Sequence, residues 1–538
     1  MVLDNTIFPT EAEVPEKFKV QERDQREYLI NGKMRVWNGA MQEITSPICI
    51  RDANGKVTRK RLGSTPMLSV DESFSVLEAA VNAYKGGRGF WPSLSLGKRV
   101  EYTEKFVAEM IKARTDVVNL LMWEIGKTEK DAAKEFDRTV DYINETIKAV
   151  KELDMNSARF IKSEGILALV KRSPIGKVLC MGPYNYPLNE TYTTLIPALM
   201  MGNTVVFKPA KHGVLLHQPL LKAYNVFPDG VINTVYGEGK EIIGPMMRTG
   251  KFDALAFIGS CGVANAIMRE HPMLTRLKPI LGLGAKNPSI IMKDANLETA
   301  VREGVLGALS YNGQRCTALK IHFAHRSIAD EYVARLSAAV DNLVVGMPWT
   351  PNAFITPLPE VGYPQKMRAY EDDAKSKGAK VMNAKGGQII NTIYTPAVMY
   401  PVNDTMDLYE KEQFGPIIPV VPFDDMEEIY SFAERVRLGQ QTGMFSLDPD
   451  KIGMMVDIFS NQYSRINLNA QCQRGPDNLP FSGRGDSAVG TLDIEAALRA
   501  FSIRTVFATK DDPVNRELVK KVLKGDKSQF LSTDYYIW

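Results

Sequence analysis

The length, composition and charge of the chain exclude several classes of protein. At 538 residues, of which 44% are hydrophobic and 24% charged, the sequence predicts a soluble protein of two or three packed units. The chain has 66 Lys and Arg residues and 63 Asp and Glu residues, so its net charge is only +3. This balance does not indicate binding to nucleic acid or to a membrane, and any recognition of an anion must be local.

The first part of the chain predicts short strands followed by helices. Turn residues separate strand-like segments over 28–37 and 49–62. Apolar residues at helical spacing then predict four helices, one beginning at Asp71 and the others covering 96–113, 115–123 and 127–153. The segment 155–171 alternates apolar and polar positions instead, which predicts a hairpin of a kind that often pairs with another subunit.

From Pro174 the pattern becomes strand, loop and helix in repetition. The predicted strands are 177–181, 204–208, 231–236, 254–258 and 278–283. The predicted helices between them are 189–201, 214–224, 239–247 and one that ends at Glu270. This alternation specifies a parallel sheet covered by helices. Ligands of such sheets bind at the carboxyl ends of the strands, where Lys208, Gly237, Gly259 and Ser260 fall.

The segment 312–318 carries the candidate nucleophile. An amphipathic helix is predicted over 296–311, and Asn312–Gly313 breaks it, so Cys316 lies in a short loop at its end. Arg315 is the neighbour in sequence, and a nearby cation favours the thiolate, which is the nucleophilic form of cysteine. Without the rest of the chain, a half-buried structural thiol would be the better interpretation. A second α/β unit then runs to about residue 470.

The cysteines and the start of the chain indicate a reducing, cytoplasmic location. The cysteines are odd in number and scattered, without metal-ligand or disulfide spacing: Cys49, Cys180, Cys261, Cys316 and Cys472. The polar, acidic start is unlike a signal or transit peptide. The longest apolar stretch, 195–207, is too short and too interrupted to span a membrane. We expect no metal site.

Seven stretches, in a fixed order, resemble the aldehyde dehydrogenase superfamily. They are Gly182–Pro187, Phe207–Ala210, Phe257–Ser260, Leu283–Pro288, Gly313–Cys316, Glu412–Pro416 and Pro480–Gly485. The resemblance covers residues 28 to 510 and implies an α/β fold with a Rossmann-type cofactor domain, an α/β catalytic domain and a small oligomerisation sheet. The implied boundaries are 1–154 and 172–283 for the cofactor-binding domain, 155–171 for the oligomerisation hairpin, 284–490 for the catalytic domain, and 491–538 for the oligomerisation strand and C-terminal extension. A homotetramer or homodimer is expected by resemblance.

The resemblance also implies the chemistry. Cys316 resembles the nucleophile that attacks an aldehyde, and Asn185 with the Cys316 backbone N–H resembles the oxyanion hole, where an amide stabilises negative charge without giving up a proton. Hydride transfer to a nicotinamide then leaves a thioester. The implied cofactor contacts are Met181, Pro183, Lys208, Lys211, Gly237, Gly259, Ser260, Val263, Leu283, Glu412 and Phe414.

Lys211 decides the expected cofactor. Family members that prefer NAD usually carry glutamate at this position, because a carboxylate binds the free 2′-hydroxyl and repels a 2′-phosphate. Lys211 removes that repulsion and adds an attractive charge. We therefore expect NADP, with NAD less favoured.

The implied substrate contacts are Arg138, Tyr186, Arg315, Thr317 and Arg474. Except for Thr317, they coincide with positions that bind the substrate phosphate in non-phosphorylating glyceraldehyde-3-phosphate dehydrogenases. Three arginines and a tyrosine around one cleft suit a dianionic substrate. The implied reaction is the oxidation of glyceraldehyde 3-phosphate to 3-phosphoglycerate, through a cysteine thiohemiacetal and a thioester.

One departure from the family pattern concerns the general base. The family has a glutamate where this chain has Gly282, and that glutamate activates the water that hydrolyses the thioester. Another carboxylate could supply the base, or the chain could be a substituted form in which the acyl-enzyme is trapped. The thioester could also pass to another acceptor, as in acyl-transferring or semialdehyde relatives. A non-catalytic protein that keeps the fold for binding is the alternative from another class.

Overall fold

Two large sheets organise the chain, which a computed structural model describes over residues 4–531. The first, six-stranded sheet has the strand order Ile232–Thr234, Thr204–Lys208, Lys177–Met181, Ala254–Ile258, Lys278–Gly282 and Ala488–Val489. Its neighbours run parallel except the last pair, which is antiparallel. The predicted parallel sheet is thus confirmed. Its strands are almost wholly buried, as expected when helices cover both faces.

The second, seven-stranded sheet holds the later part of the chain. Its order is Lys380–Val381, Ala397–Tyr400, Ile417–Phe423, Leu319–His325, Asn287–Ile291, Gln441–Phe445 and Arg465–Leu468. Only the first pair is antiparallel. The strand Leu319–His325 begins directly after the cysteine loop, so this sheet holds one end of that loop in place.

A three-stranded antiparallel sheet joins distant parts of the chain. Ser502–Lys510 pairs along its whole length with Ile166–Pro174, which also pairs with Ile161–Ser163. The predicted hairpin start at residue 155 is wrong, because the preceding helix continues to Asn156. Ser157 caps the end of that helix, and its backbone N–H donates to the Asp154 carbonyl at 3.0 Å.

The remaining elements surround these sheets. The α-helices of residues 4–531 are Val70–Tyr84, Phe90–Ser93, Leu96–Lys112, Arg114–Ile125, Glu129–Asn156, Asn189–Met200, Leu221–Tyr224, Gly239–Arg248, Cys261–Arg269, Leu297–Leu309, Arg326–Asp341, Tyr363–Ser376, Asp407–Glu410, Met426–Val436, Pro449–Phe459, Ile494–Ala500 and Pro513–Lys524. The N-terminal strands are Arg23–Asp24, Glu27–Ile30, Lys33–Val36, Met41–Arg51 and Val57–Pro66. Short strand pairs are Val344–Val345 with Ala353–Ile355, Ile389–Ile390 with Ile393–Tyr394, and Leu438–Gly439 with Arg484–Gly485. Over the same residues, no helix is both long and apolar enough to cross a membrane.

The predicted helix over 214–224 is wrong in its middle. The structure has a 3-10 turn at Leu215–His217 and one helical turn at Leu221–Tyr224. The buried carboxylate of Glu124 accepts the backbone N–H groups of Leu215 and Leu216, at 3.0 and 2.9 Å. A carboxylate from a distant helix thus caps this turn, whose backbone N–H groups have no partner within a helix.

Candidate active site

The loop that carries Cys316 is set by the helix before it. Asn296 caps the helix Leu297–Leu309 by accepting the Thr299 N–H, and a 3-10 turn then covers Ser310–Gly313. Gly313 has φ +70, and a Cβ there would lie 2.7 Å from the carbonyl oxygens of Ala308 and Gly415. Glycine is therefore required at this position. The predicted break of the helix at this point is confirmed.

Side-chain amides hold the cysteine loop from both sides. The Asn287 amide donates to the Cys316 carbonyl at 2.7 Å and to the Ala318 carbonyl at 3.0 Å. The buried Asn185 amide donates to the Gln314 carbonyl at 2.8 Å. Asn185 and the cysteine loop, which are far apart in sequence, are therefore in contact.

The thiol of Cys316 is half-buried, and burial raises its pKa to about 11. The negative charge of Glu190 also raises the pKa, whereas the charges of Arg474 and Lys320 lower it. The prediction that Arg315 favours the thiolate is wrong for this structure. One terminal nitrogen of the Arg315 guanidinium donates to the carbonyls of Leu306 and Gly307, at 3.2 and 2.8 Å, so the side chain is held at the end of the preceding helix.

A cavity of about 370 Å³ opens beside the thiol. Six residues that the sequence singled out line it together: Arg138, Tyr186, Arg315, Cys316, Thr317 and Arg474. They come from a helix, two loops and the C-terminal part of the chain. The fold thus brings all five predicted substrate contacts to the predicted nucleophile.

Two of the three arginines already contact carboxylates. Arg138 donates two hydrogen bonds to Asp477, at 3.0 and 2.6 Å. The Arg474 Nε lies 3.1 Å from a Glu190 oxygen, and one Nη donates to the Leu492 carbonyl at 3.0 Å. The other Nη of Arg474 is buried and has no hydrogen-bond partner among residues 4–531. A buried guanidinium with an unused donor is suited to an incoming anion.

Tyr186 is held in the cavity wall by a buried ion pair. The Lys127 ammonium lies 3.4 Å from the centre of the Tyr186 ring and contacts the Glu135 carboxylate. The other Glu135 oxygen accepts the backbone N–H groups of Leu188 and Asn189, at 3.1 and 3.2 Å. Glu135 therefore fixes the loop that follows Asn185 and leaves no oxygen free for other chemistry.

Four of the predicted cofactor residues lie at or near the carboxyl edge of the six-stranded sheet. Met181 and Lys208 are paired at the ends of adjacent strands. Lys208, Lys211 and Gly237 line a cavity of about 40 Å³. The Lys208 ammonium is buried, which lowers its pKa to about 8, and its hydrogen bond within residues 4–531 is a long one, 3.4 Å to the Pro209 carbonyl. Lys211 is exposed at the mouth of this cavity.

Glu412 and Phe414 lie near the cysteine loop. A Glu412 oxygen accepts the Ala285 N–H at 3.2 Å and contacts the Lys320 ammonium at 3.2 Å. The same ammonium lies 4.5 Å from the centre of the Phe414 ring and donates to the Arg315 carbonyl at 2.8 Å. Lys320 therefore connects the Glu412 segment with the loop of the nucleophile.

The other predicted cofactor contacts lie around the ends of the strands. Gly259 donates its N–H to the Gly282 carbonyl at 2.9 Å, and Leu283 donates to the Ser487 carbonyl at 2.8 Å. Ser260 caps the helix Cys261–Arg269 by accepting the Val263 N–H, and both side chains are exposed. Pro183 is half-buried in the loop before Asn185. These residues, as far as the structure describes the chain, line neither cavity.

Comparisons with known proteins agree with this geometry. The family model described as "Aldehyde dehydrogenase family" matches residues 50–506. The chain belongs to the aldehyde dehydrogenase family. It is 33% identical to an NADP-dependent glyceraldehyde-3-phosphate dehydrogenase of Streptococcus equinus, over 83% of this chain and 92% of the relative. A Pisum sativum protein of the same name is 28% identical over 81% of this chain and 87% of its own. The crystal structure of the NADP-dependent enzyme from Bacillus halodurans C-125 in complex with NADP superposes with a TM-score of 0.82, at 30% identity, and covers 91% of this chain and 100% of that chain.

This aldehyde dehydrogenase has a glycine at the end of the strand Lys278–Gly282. A Cβ at Gly282 would lie 3.3 Å from a Leu492 methyl and 3.4 Å from Ile258. Apolar side chains thus surround the position where the family pattern has its glutamate. The 370 Å³ cavity does not have Gly282 in its described lining.

Sequence reasoning missed three charged residues of this aldehyde dehydrogenase site: Glu190, Asp477 and Lys320. Each lies within five residues of a predicted site residue, since Glu190 follows Asn185 and Asp477 follows Arg474. A search for charges close to each motif would have found them. Their pairing with the arginines and with Glu412 depends on tertiary packing.

Proposed function

We propose that this aldehyde dehydrogenase oxidises glyceraldehyde 3-phosphate to 3-phosphoglycerate with NADP, without forming an acyl phosphate. The observation that carries the proposal is the cavity in which a thiol and three guanidinium groups meet. The similarity to the Streptococcus equinus and Bacillus halodurans enzymes supports the same substrate and cofactor.

The phosphate of the substrate would bind the guanidinium groups. In the cavity, Arg474 has a buried Nη without a partner and Arg315 has a buried Nε without one, among residues 4–531. A phosphate dianion supplies acceptors for both and removes the free-energy cost of leaving them unpaired, about 1–3 kcal/mol for each group. The hydrocarbon chain of an aliphatic aldehyde supplies none.

The carbonyl chemistry falls to Cys316 and Asn185. The Cys316 thiol loses its proton to solvent, the thiolate sulfur attacks the aldehyde carbon, and the carbonyl oxygen becomes negative. One N–H of the Asn185 amide is held by the Gln314 carbonyl at 2.8 Å, which orients the amide beside the loop. The second N–H and the Cys316 backbone N–H are the donors that would stabilise the oxyanion of the thiohemiacetal.

The residues at the sheet edge fit NADP. Lys208 is a buried cation with only a weak hydrogen bond, and Lys211 adds a second positive charge at the same cavity. Together they suit an adenosine ribose that carries a 2′-phosphate. When bound, NADP supplies the hydride acceptor, and loss of hydride from the thiohemiacetal leaves a thioester on Cys316.

The test compares two aldehydes that differ only in the phosphate. NADPH formation would be followed at 340 nm with glyceraldehyde 3-phosphate and with glyceraldehyde. Two charge-assisted hydrogen bonds of about 1.5–3 kcal/mol each predict a kcat/KM that is roughly 10²–10⁴ higher for the phosphorylated aldehyde. Equal values would refute the phosphate site.

The fate of the acyl group is tested in the same assay. Gly282 favours an acyl-transferring dehydrogenase as the second candidate, because the family's water-activating carboxylate is missing there. Under our proposal 3-phosphoglycerate forms without added coenzyme A or inorganic phosphate. Turnover that requires either acceptor would favour the second candidate.

We also infer that the chain forms a homo-oligomer through its three-stranded sheet. The strand Ser502–Lys510 exposes large apolar side chains, with Ile503 at 53% and Val506 at 59% exposure. Ile161, at the other edge of the same sheet, is 51% exposed. Light scattering of purified protein should give a dimer or tetramer, and I503D/V506D should shift the mass toward the monomer.

A further inference from the structure

The cavity beside Cys316 is lined by three carboxylates, and one of them is fully engaged. Asp131, Glu135 and Glu190 line it. Glu135 contacts the Lys127 ammonium and accepts two backbone N–H groups. Asp131 accepts the Thr128 hydroxyl at 2.9 Å, within the first turn of its helix. Glu135 therefore has no oxygen available for a reacting water, whereas Asp131 has one oxygen in this bond. The carboxylates with the largest effect on the pKa of the Cys316 thiol are Glu190 and Glu412, not Asp131.

Glu190 differs from the other two. It lies in the first turn of the helix Asn189–Met200, is only 6% exposed, and comes five residues after Asn185. Among residues 4–531, its carboxylate has one ion-pair partner, the Arg474 Nε at 3.1 Å from Oε1. Oε2 is therefore left for a water in the cavity.

The charges of Glu190 and Cys316 act on each other. After burial, the Glu190 carboxylate is the strongest influence that raises the pKa of the Cys316 thiol. Glu412 raises it less, and that carboxylate is already bound by Lys320 and the Ala285 N–H. Of the carboxylates near the nucleophile, Glu190 thus has the largest effect on the pKa of the Cys316 thiol, and it has one ion-pair partner among residues 4–531.

We propose that Glu190 is the general base that activates the water which cleaves the Cys316 thioester, in place of the carboxylate that position 282 lacks. This assignment rests on the proposed function. Water gives one proton to the Glu190 carboxylate while its oxygen bonds to the thioester carbon. The carbon–sulfur bond then breaks, and its electron pair stays on the Cys316 sulfur, which takes the proton from Glu190. The acid product loses its second proton to solvent.

The test separates acylation from deacylation. Glu190→Gln keeps the shape of the side chain and removes the base. With glyceraldehyde 3-phosphate and NADP, stopped-flow should show a first-turnover burst of about one NADPH per subunit at the wild-type rate. Steady-state turnover should then be roughly 10²–10⁴-fold slower. Mass spectrometry should find the acyl group on Cys316, and hydroxylamine, a nucleophile that needs no general base, should restore turnover.

Two variants serve as controls. Asp477→Asn weakens the other carboxylate–arginine pair of the cavity, so it should raise KM for the phosphorylated aldehyde without accumulation of acyl-enzyme. Glu434→Gln removes an exposed charge from the distant helix Met426–Val436 and should behave as wild type. If Glu190→Gln does not fold, Glu190→Asp, which keeps the charge, should retain the burst and slow the steady state.

The outcomes distinguish this assignment from the proposed function. Wild-type steady-state turnover in Glu190→Gln, or an equal fall of burst and steady state with a raised KM, would overturn the assignment and leave Glu190 as a partner of Arg474 only. A wild-type enzyme that makes no NADPH from glyceraldehyde 3-phosphate, or that turns over only with coenzyme A, would overturn the proposed function instead.

Discussion

Reversal of the charge at Lys211 should change the choice between NADP and NAD. Lys211 is exposed and lines the small cavity with buried Lys208. Lys211→Glu therefore alters the charge near the expected 2′-phosphate without removing a buried contact. The carboxylate would repel the phosphate of NADP and accept the free hydroxyl of NAD.

The magnitude follows from Coulomb's law. Unit charges about 4 Å apart interact by about 1 kcal/mol in a water-like dielectric. Lysine to glutamate changes the charge by two units opposite a dianion, which gives about 4 kcal/mol before screening. Salt at physiological strength, with a Debye length of about 8 Å, reduces this to about 2–3 kcal/mol. The ratio of kcat/KM for NADP over NAD should fall roughly 30-fold to 150-fold.

The assay measures kcat/KM for both cofactors at a fixed aldehyde concentration, at low and high salt. Lys222→Glu is the matched control, because it makes the same change of net charge on the exposed face of the turn Leu221–Tyr224, outside the cavity lining. The effect at Lys211 should shrink as salt rises. An unchanged ratio in Lys211→Glu, or an equal change in Lys222→Glu, would refute the reasoning.

Three further predictions concern the cysteine loop. Asn185→Ala should lower kcat about 10²–10³-fold in a protein of native circular dichroism, because one oxyanion donor is lost; a smaller loss would remove Asn185 from that role. Gly313→Ala should lower the free energy of unfolding in urea by about 1–3 kcal/mol, because the added Cβ would meet two carbonyl oxygens. The control Gly453→Ala, on a helix with open space around the added Cβ, should raise that free energy by about 0.5–1 kcal/mol. Equal effects of the two substitutions would contradict the geometry. Because the pKa of the Cys316 thiol is about 11, its thiolate fraction should rise about tenfold per pH unit from pH 8 to 10, and the rate of its alkylation by iodoacetamide should rise with it. A rate that reaches a plateau below pH 9 would contradict the raised pKa.

The elements with a strong local pattern were predictable. The buried strands 177–181, 204–208 and 254–258 are short apolar runs between turn residues, and the structure has them with these bounds. The break before Cys316 was predictable because Asn and Gly tolerate positive φ, which both Asn312 and Gly313 adopt. The convergence of the arginines followed from the family resemblance.

Features that depend on burial and on distant partners were not predictable. Arg315 is next to Cys316 in sequence, yet its side chain is held by carbonyls of the preceding helix. The pKa of the thiol is set by burial and by Glu190, neither of which a local pattern shows. Likewise, the helix predicted over 214–224 is interrupted between His217 and Leu221, and its first turn is capped by Glu124 from another helix.

The most direct test of the account is a single turnover stopped with acid. The enzyme would be mixed with NADP and one equivalent of glyceraldehyde 3-phosphate, and NADPH and the mass of the Cys316 peptide would be followed together. We predict one NADPH per subunit with a transient acyl group on Cys316, and neither signal in Cys316→Ser. NADPH formation without that acyl group, or an unchanged rate in Cys316→Ser, would contradict the assignment of the nucleophile.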